Sequence, residues 1–262
     1  MFISHNLRYK QFMSENQKKI WITGASSGIG KAVAEKFAKE GWKVAVSARR
    51  KELLDDLAKN QNIESFPLDV TNRSQINEVF NNILAKFSNL DICLFSSGTY
   101  EPKDEQNIDP DKIKNVMNVN FLGVIDCVKA VEKYFKSKKS GHISIVSSIA
   151  GYRGLPNSSG YGPSKAALTN FSESIYFDFK KFGVRVSVVS PGFIKTPLTD
   201  KNEFPMPFLK TPDYAAEKIF SGLVRSNAFE IHFPKGLTLT LKFLRILPYK
   251  LYLFLVDKLV KR

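Results

Sequence analysis

The sequence predicts a doubly wound α/β fold, in which helices cover both faces of a seven-stranded, mostly parallel sheet. Short apolar or β-branched runs alternate with longer amphipathic stretches from Lys18 onward, which is typical of βα units. No repeat or low-complexity linker interrupts this series before about residue 235. The chain has 262 residues, of which 43% are apolar, so it is long enough to form one large domain.

The predicted strands are the short runs that are richest in apolar and β-branched residues. In chain order they are Ile20–Thr23, Lys43–Ser47, Ile63–Pro67, Asp91–Ser96, His142–Ser147, Val184–Ser190 and Phe229–Phe233. The stretches between them have the spacing of amphipathic helices, as in Lys31 to Glu40. Strands and intervening helices together make one domain.

Two regions depart from this alternation. Gly192–Pro212 holds too many prolines for a regular helix or strand, and we interpret it as a mobile loop over a site. The end of the chain has helical apolar spacing that is broken or kinked at Pro248. We therefore divide the chain into a flexible polar leader at 1–17, a central domain at 18–235 and a basic, amphipathic helical tail at 236–262.

A glycine-rich turn directly follows the first predicted strand and opens the first helix. Its glycines at 24, 28 and 30 permit a tight turn, close approach of the backbone to a pyrophosphate, and close packing of the helix on the strand. The N-terminus of the helix then faces the phosphates. This arrangement predicts a dinucleotide site of the Rossmann type.

Other interpretations of the same residues fit less well. Gly24 to Gly28 match G-x-S-x-G, the nucleophile elbow of serine hydrolases, but that chemistry needs a late histidine after an acid. His232 is the only late histidine, and it lies in a strand pattern. A phosphate-binding P-loop requires Ser or Thr after Lys31, where this chain has Ala32. A purely structural turn is the remaining alternative.

The residues after the second strand indicate which nicotinamide cofactor is bound. An acid at this place binds the ribose 2′-hydroxyl of NAD, whereas a basic residue accommodates the 2′-phosphate of NADP. Here Arg49, Arg50 and Lys51 precede the first acid, Glu52. We therefore predict NADP(H), with Arg49 stacking on the adenine and binding the phosphate. The alternative is a solvated charge cluster at the start of a helix.

Tyr161 and Lys165 are four residues apart and share one face of a predicted helix. A free tyrosine has a pKa of about 10, and a nearby ammonium favours its phenolate form. Lys165 would therefore tune Tyr161 as an acid or base. Taken alone, this pair is a weak signal, because such spacing is common on exposed helices.

Several motifs together resemble those of the short-chain dehydrogenase/reductase family, from about Lys18 to Phe233. The order and spacing of the motifs make the resemblance specific. The matching segments are Thr23 to Gly30 (T-G-x-x-x-G-x-G), Asp69-Val70, Asn118-Val119-Asn120, Ser148 at 13 residues before Tyr161, Tyr161 to Lys165 (Y-x-x-x-K), and Pro191-Gly192 with Thr196. One segment differs: where the family commonly has N-N-A-G, this chain has Ser96-Ser97-Gly98-Thr99.

The resemblance implies a catalytic role for four residues. Tyr161 would be the proton donor in reduction or the base in oxidation, and Lys165 would bind the nicotinamide ribose. Ser148 would bond the carbonyl oxygen, and Asn120 would hold a water that links Lys165 to solvent. The expected cofactor contacts are Gly24, Ser26, Ser27, Gly28, Ile29, Gly30, Arg49, Arg50, Asp69, Val70, Ser97, Gly98, Tyr161, Lys165, Pro191, Gly192, Ile194 and Thr196.

Cysteine and histidine usage points away from metal chemistry. Cys93 and Cys127 form no C-x-x-C pair, and the three histidines show no metal-ligand spacing, so we expect no metal site. The cysteines are consistent with a reducing compartment, and we expect a cytoplasmic protein. The formal net charge of +14 suggests a nucleic-acid partner as an alternative, but no recognition motif accompanies it.

The sequence also carries signals for the substrate and the partners. Apolar residues after the sixth strand suggest an apolar ketone, aldehyde or alcohol as the substrate, unless these side chains only anchor the loop.

Residues 235–262 hold seven basic residues and one acid among many large apolar ones, which predicts contact with the inner face of a membrane. Packing on a partner subunit or on the core are alternatives. The family resemblance implies a homodimer or homotetramer, and a regulator that binds the dinucleotide without turnover is the alternative function.

Overall fold

A computed structural model describes residues 17–100 and 108–260 and contains one seven-stranded sheet. The strand order is β3-β2-β1-β4-β5-β6-β7, and every neighbouring pair is parallel. This confirms the predicted fold class. The strands are β1 (Lys19–Thr23), β2 (Lys43–Ser47), β3 (Ile63–Ser65), β4 (Ile92–Phe95), β5 (His142–Val146), β6 (Arg185–Pro191) and β7 (Glu230–Phe233).

Helices connect the strands and follow the last of them. They are α1 (Gly28–Lys39), α2 (Lys51–Leu57), α3 (Arg73–Phe87), α4 (Pro110–Met117), α5 (Gly123–Lys138), α6 (Tyr161–Lys180), α7 (Pro212–Arg225), α8 (Lys235–Arg245) and α9 (Tyr249–Val260). A π-helical segment at Asn118–Leu122 joins α4 to α5, and short 3₁₀ turns occur at Ile149–Gly151 and Thr199–Lys201. No helix within the described residues is long and apolar enough to cross a bilayer.

Apolar residues on both faces of the sheet form two cores, one above it and one below. In β1, Ile20 and Ile22 belong to one core and Trp21 belongs to the other, because successive side chains point to opposite faces. Phe37 of α1 and Phe220 of α7 pack into the first core. Helices α3, α5 and α6 cover the second. Burial on both faces explains why the strands are almost continuously apolar in sequence.

The strand order places a crevice at one edge of the sheet. The chain builds outward from β1 to β2 and β3, and then returns to pair β4 with the other side of β1. In sheets of this kind ligands bind at such a switch point, beyond the carboxyl ends of the strands. The predicted motifs after β1, β2, β4, β5 and β6 all lie at this edge.

The boundaries of six predicted strands move by one or two residues, and prolines account for the end of β3 and the start of α7. Strand β3 ends at Ser65 rather than Pro67, which has no N–H to donate to a neighbouring strand. The proline-rich segment ends where α7 begins, because Pro212 occupies the first turn and Thr211 caps the helix by accepting from Tyr214 N. Within that segment, Ile194 forms a parallel bridge with Lys210.

The predicted tail contains two helices, α8 and α9, which are separated between Arg245 and Tyr249 at Pro248. Proline lacks the N–H that a continuous helix would use, so a break there is expected. The predicted leader, apart from Gln17, and the two basic residues that end the chain lie outside the described residues. The division into three domains therefore stays a prediction.

Candidate active site

A cavity of about 280 Å³ lies beyond the carboxyl ends of the central strands. Most of the predicted cofactor contacts line it. They are Gly24, Ser26, Ser27, Gly28, Ile29, Gly30, Arg49, Arg50, Asp69, Val70, Ser97, Gly98, Tyr161, Lys165, Pro191 and Thr196. Residues that are as far apart in sequence as Gly24 and Thr196 therefore meet in one site, because the carboxyl ends of parallel strands lie at the same edge of the sheet.

The glycine-rich turn is tightly packed against its surroundings. Gly24 has a φ of +69°, and a Cβ there would lie 2.7 Å from the carbonyl oxygen of Ser96. A Cβ on Gly30 would lie only 2.4 Å from the carbonyl oxygen of Gly24, closer than real atoms approach. Glycine is thus needed at both positions by the protein's own backbone.

The N-terminus of α1 opens toward the cavity without a side-chain cap. Ser27 is the N-cap residue, but its side chain accepts no hydrogen bond from the first turn. That turn also carries no acidic residue. The first N–H groups of a helix need acceptors, and the helix dipole favours an anion there. This end of α1 is therefore suited to a phosphate group.

Arg50 rather than Arg49 is held by the turn. One guanidinium nitrogen of Arg50 donates to Ser26 Oγ and to Ser27 Oγ, each at 2.9 Å. Arg49 is exposed and lines the cavity. A guanidinium beside two hydroxyls provides several donors for a phosphate oxygen. The arrangement therefore shifts the expected phosphate contact from Arg49 toward Arg50.

The carboxylate of Asp69 is oriented by its own turn. Its Oδ1 accepts from the backbone N–H and the hydroxyl of Thr71, at 2.9 and 2.8 Å. The backbone N–H of Asp69 donates to Gln75 Oε1 at 2.9 Å. Both anchors fix Asp69 at the edge of the cavity beside Val70.

Lys165 is buried beside Tyr161 at the other end of the cavity. Its Nζ lies 5.6 Å from the centre of the Tyr161 ring and donates to the carbonyl oxygen of Val146 at 3.0 Å. Burial lowers the pKa of Lys165 to about 8. Across the described residues, no ion pair includes this lysine. Its ammonium is therefore available to polar groups that enter the cavity.

Asn120 supports the site through hydrogen bonds to residues next to it and does not itself line the cavity. It is fully buried within the π-helical segment, and its amide donates to the Thr99 carbonyl (3.0 Å) and to Ser164 Oγ (3.1 Å). Its Oδ1 accepts from Thr99 N at 2.7 Å. One acceptor position on Oδ1 remains for the predicted water. The side chain thus ties the loop after β4 to helix α6.

Ser148 lies at the end of β5 and is nearly buried. Its Oγ accepts from Ala150 N at 3.1 Å, which caps the 3₁₀ turn. The hydroxyl proton is not used in that bond, so it can be donated to a ligand. Ser148 and Asn120 are not among the cavity-lining residues, whereas their neighbours Ser147 and Val119 are.

Two predicted cofactor contacts also lie outside the cavity lining. Ile194 is buried in the apolar core, and Gly192 donates its N–H to the carbonyl of Phe233 at 2.7 Å. Any contact they make with a ligand must come from the backbone. Thr196, two residues further on, does line the cavity, and its methyl group packs against Gly28.

The sequence profile of the short chain dehydrogenase family matches residues 18–205. The chain belongs to this family. A 34% identical relative, an uncharacterized oxidoreductase of Myxococcus xanthus, aligns over 236 residues, which are 88% of this chain and 93% of that protein. The 3-oxoacyl-(acyl-carrier-protein) reductase FabG of Thermotoga maritima is 34% identical over 185 residues, or 69% of this chain and 75% of that protein.

Solved structures agree with this assignment. The structure of ElxO with NADP bound has a TM-score of 0.73 and 28% identity, and the match covers 86% of this chain and 99% of that one. The short-chain dehydrogenase fold accounts for the glycine-rich turn without a hydrolase triad. His232, which a hydrolase would have needed, instead contacts Thr238 and Lys235 through its two ring nitrogens.

The structure also shows features of this short-chain dehydrogenase that the sequence did not reveal. The Tyr100 ring lies 4.8 Å from the Tyr161 ring, centre to centre, and is nearly buried. Ser164 holds Asn120, as described above. Tyr100 lies outside every recognised motif, and Ser164 occupies an unspecified position of the Y-x-x-x-K motif. Tyr100 follows β4 by five residues, and no periodicity singles it out.

Arg153 is another residue without a sequence signal, and it holds the end of α8 to the segment that follows β5. Its guanidinium donates to the carbonyl oxygens of Leu244, Arg245 and Leu247 at 2.7 to 3.1 Å. It also stacks on Tyr249 and Tyr252, with its central carbon 4.5 and 4.0 Å from the ring centres. These carbonyls end α8, where a cation is favourable.

Proposed function

We propose that this short-chain dehydrogenase is an NADP(H)-dependent oxidoreductase that interconverts a carbonyl and a primary or secondary alcohol on an apolar substrate. The observation that carries the proposal is the juxtaposition of Tyr161 and buried Lys165 at one end of a cavity whose other end is the glycine-rich turn. A dinucleotide bound along the cavity would reach from a phosphate site to an acid/base residue.

The residues of the cavity fit such a cofactor. The uncapped end of α1 and the Arg50 guanidinium with its two serine hydroxyls provide donors for phosphate groups. A Cβ on Gly98 would meet Lys165 Nζ and Asn120 Oδ1 at 3.5 Å, so the absence of a side chain there leaves room for a ligand beside Lys165. ElxO, a structural relative, binds NADP. The nicotinamide would supply or accept the hydride.

The protein's own residues handle the proton. Tyr161 donates its phenolic proton to the carbonyl oxygen in reduction and accepts it in oxidation. Lys165 has a pKa of about 8, so it is mostly protonated at neutral pH, and its charge favours the phenolate form of Tyr161. The Ser148 hydroxyl donates to the same carbonyl oxygen. Asn120 positions the loop at Thr99 and holds the water that connects Lys165 to solvent.

The apolar substrate class rests on the loop between β6 and α7. Pro197 and Leu198 of this loop line the cavity. Farther along the loop, Phe193 and Phe204 have their ring centres 6.0 Å apart. The Thermotoga maritima relative reduces a 3-oxoacyl group, which also carries its carbonyl on an alkyl chain.

The same proposal includes the location and the partners of the enzyme. We place the catalytic domain at 18–235 in the cytoplasm, with the 236–262 tail in peripheral contact with the inner face of a membrane. A homodimer or homotetramer forms through the segments that carry Asn120 and Tyr161. Exposed Leu122 and Phe177 on these segments provide apolar surface for such contact.

The test is NADPH oxidation with a panel of aliphatic aldehydes and ketones. Replacing Tyr161 by Phe removes the proton donor and should lower kcat about 10²- to 10⁴-fold, while NADPH still binds. Binding is measured separately by NADPH fluorescence. Tight NADPH binding with no turnover on any carbonyl would instead favour the alternative, a regulator that keeps the fold without the reaction.

A further inference from the structure

Helix α8 is apolar on two opposite sides. Leu237 is buried against Ile149 and Tyr152 of the body, and Leu244 is buried against Tyr252 and Val256 of α9. On the opposite side Leu239, Phe243 and Ile246 are 55, 61 and 76% exposed. Their spacing of four and three residues puts them in one stripe. Such an exposed stripe is unusual on a helix surrounded only by water.

The stripe continues onto the loop between β6 and α7, whose first residues line the cavity. The Phe208 ring packs at Gly236, with its nearest carbon 3.3 Å from the place a Cβ would take. Gly236 lies on the same side of α8 as Leu239 and Phe243. Phe204, Phe208 and Leu209 are themselves exposed. We call these six side chains the apolar face: Phe204, Phe208, Leu209, Leu239, Phe243 and Ile246.

The apolar face is connected to the site on its inner side. Leu237 of α8 packs with Ile149 and Tyr152, and Phe193 joins the same cluster. Ile149 directly follows Ser148. Helix α8 is therefore joined through Leu237 to the segment that follows Ser148, and the contacts of Arg153 with the end of α8 hold it there.

Basic residues accompany the apolar face on α8 and α9, and one of them, Lys242, is paired with Glu230. Helices α8 and α9 carry Lys235, Lys242, Arg245, Lys250 and Lys258, with Asp257 as their only acid. Helix α9 adds exposed Leu253 and Phe254. Apolar side chains beside an excess of positive charge are the signature of an element that lies in the interface of an anionic bilayer. A neutral protein partner would not need the charge.

We infer that the apolar face docks on an anionic lipid bilayer and opens the substrate end of the cavity toward it, so that the substrate is a long-chain carbonyl compound dissolved in the membrane. This inference rests on the proposed reductase function for its substrate and on the surface alone for its docking. The apolar side chains would enter the acyl region while the cations contact anionic headgroups.

The docking is tested with the full chain and vesicles of phosphatidylglycerol and phosphatidylcholine. The double variant Phe243→Glu/Ile246→Glu should lose about tenfold or more of its vesicle affinity, because two charges would have to enter the interface. Leu53→Glu is the matched control, since Leu53 is 41% exposed on α2, outside the apolar face. Wild type should bind the anionic vesicles more tightly than pure phosphatidylcholine, and less tightly at high salt.

Equal vesicle binding by wild type and the double variant would overturn the docking. The docking would also be overturned if, in sedimentation without vesicles, wild type were a dimer and the double variant a monomer. The apolar face would then be an interface between two copies of the chain. Equal binding to neutral and anionic vesicles would also contradict the role of the cations.

The substrate is tested by comparing hexadecanal incorporated in the vesicles with water-soluble butanal, each with NADPH. The double variant should oxidise NADPH about tenfold more slowly with hexadecanal and at the wild-type rate with butanal. Unchanged rates with both aldehydes would overturn the membrane route while leaving the reductase function intact. Vesicle binding with no NADPH oxidation on either aldehyde in wild type would contradict the reductase function and the substrate class, but not the docking.

Discussion

The two ends of the cavity are built in different ways. At the cofactor end, backbone approaches backbone: a Cβ on Gly30 would touch the Gly24 carbonyl, and Arg50 binds serines of the same turn. Near the end that we propose for the substrate, apolar side chains are exposed, and Arg153 holds residues that are more than ninety positions later in the chain. The first end is rigid by close packing, and the second depends on a few long-range contacts.

Replacing Gly30 by Ala should have the largest effect, because it attacks the close packing at the cofactor end. The new Cβ would lie 2.4 Å from a carbonyl oxygen that cannot move without the turn. We expect a loss of about 3 kcal/mol or more in the free energy of unfolding, together with loss of NADPH binding. Denaturant unfolding and NADPH fluorescence measure the two.

Two other glycines provide the controls for that variant. Gly98→Ala makes only 3.5 Å contacts within the protein, so it should keep the stability and lose NADPH affinity. Gly154→Ala has no atom within 4 Å of its new Cβ and should keep both. If Gly98→Ala bound NADPH like wild type, the cofactor would not pass beside Lys165 as we propose.

Lys165 lies at the Tyr161 end of the cavity, and its buried charge should lower the free energy of unfolding. Burial lowers its pKa to about 8 in the folded state, from 10.5. The unfolded state therefore binds more protons between pH 8 and 10.5, and stability should rise with pH across that window. Below pH 8, Lys165→Met should be more stable than wild type by about 2 to 3 kcal/mol, yet inactive.

The measurement is urea unfolding at pH 7 and at pH 10, where the advantage of Lys165→Met should shrink. Lys133 is an exposed lysine of α5 and provides the control. Lys133→Met should show no such change with pH. A constant difference between Lys165→Met and wild type at both values would mean that packing, and not charge, decides the stability at residue 165.

Arg153→Ala should loosen the packing of α8 on the body and leave the NADPH site unchanged. It removes three hydrogen bonds to the end of α8 and two ring contacts, which together contribute about 2 kcal/mol. Hydrogen exchange across 235–260 should become faster, and the KM for carbonyl substrates should rise, while the Kd for NADPH stays unchanged. Arg245→Ala, an exposed arginine of the same helix, is the control. An equal increase in exchange in both variants would show that Arg153 has no special role.

Arg50→Ala should have the smallest effect and test the phosphate site alone. It removes the guanidinium beside Ser26 and Ser27, and the affinity for NADPH should fall about tenfold relative to NADH. Arg49→Ala should lower it less. Isothermal titration with both cofactors measures the ratio. A wild-type preference for NADH, or a larger loss in Arg49→Ala, would contradict our placement of the phosphate.

The sequence alone predicted the sheet and most of the residues that line the cavity. All seven strands lie where the apolar runs predicted them, because burial on both faces leaves a strong local pattern. The glycine-rich turn was found because its spacing reflects local backbone geometry. Sequence spacing could not show which of Arg49 and Arg50 lies beside the glycine-rich turn, because both follow β2 directly. Only the direction of their side chains distinguishes them.

Local sequence thus determined the fold of this short-chain dehydrogenase and the cofactor end of its site, because glycine spacing and strand periodicity act over a few residues. At the end that we propose for the substrate, the sequence identified Tyr161, Lys165 and Ser148, but only the tertiary structure decided which residues surround them. It placed Tyr100 on Tyr161, and it joined Arg153 to the end of α8 and Phe208 to Gly236. These contacts link residues that are far apart in sequence, and no local pattern encodes which of them meet.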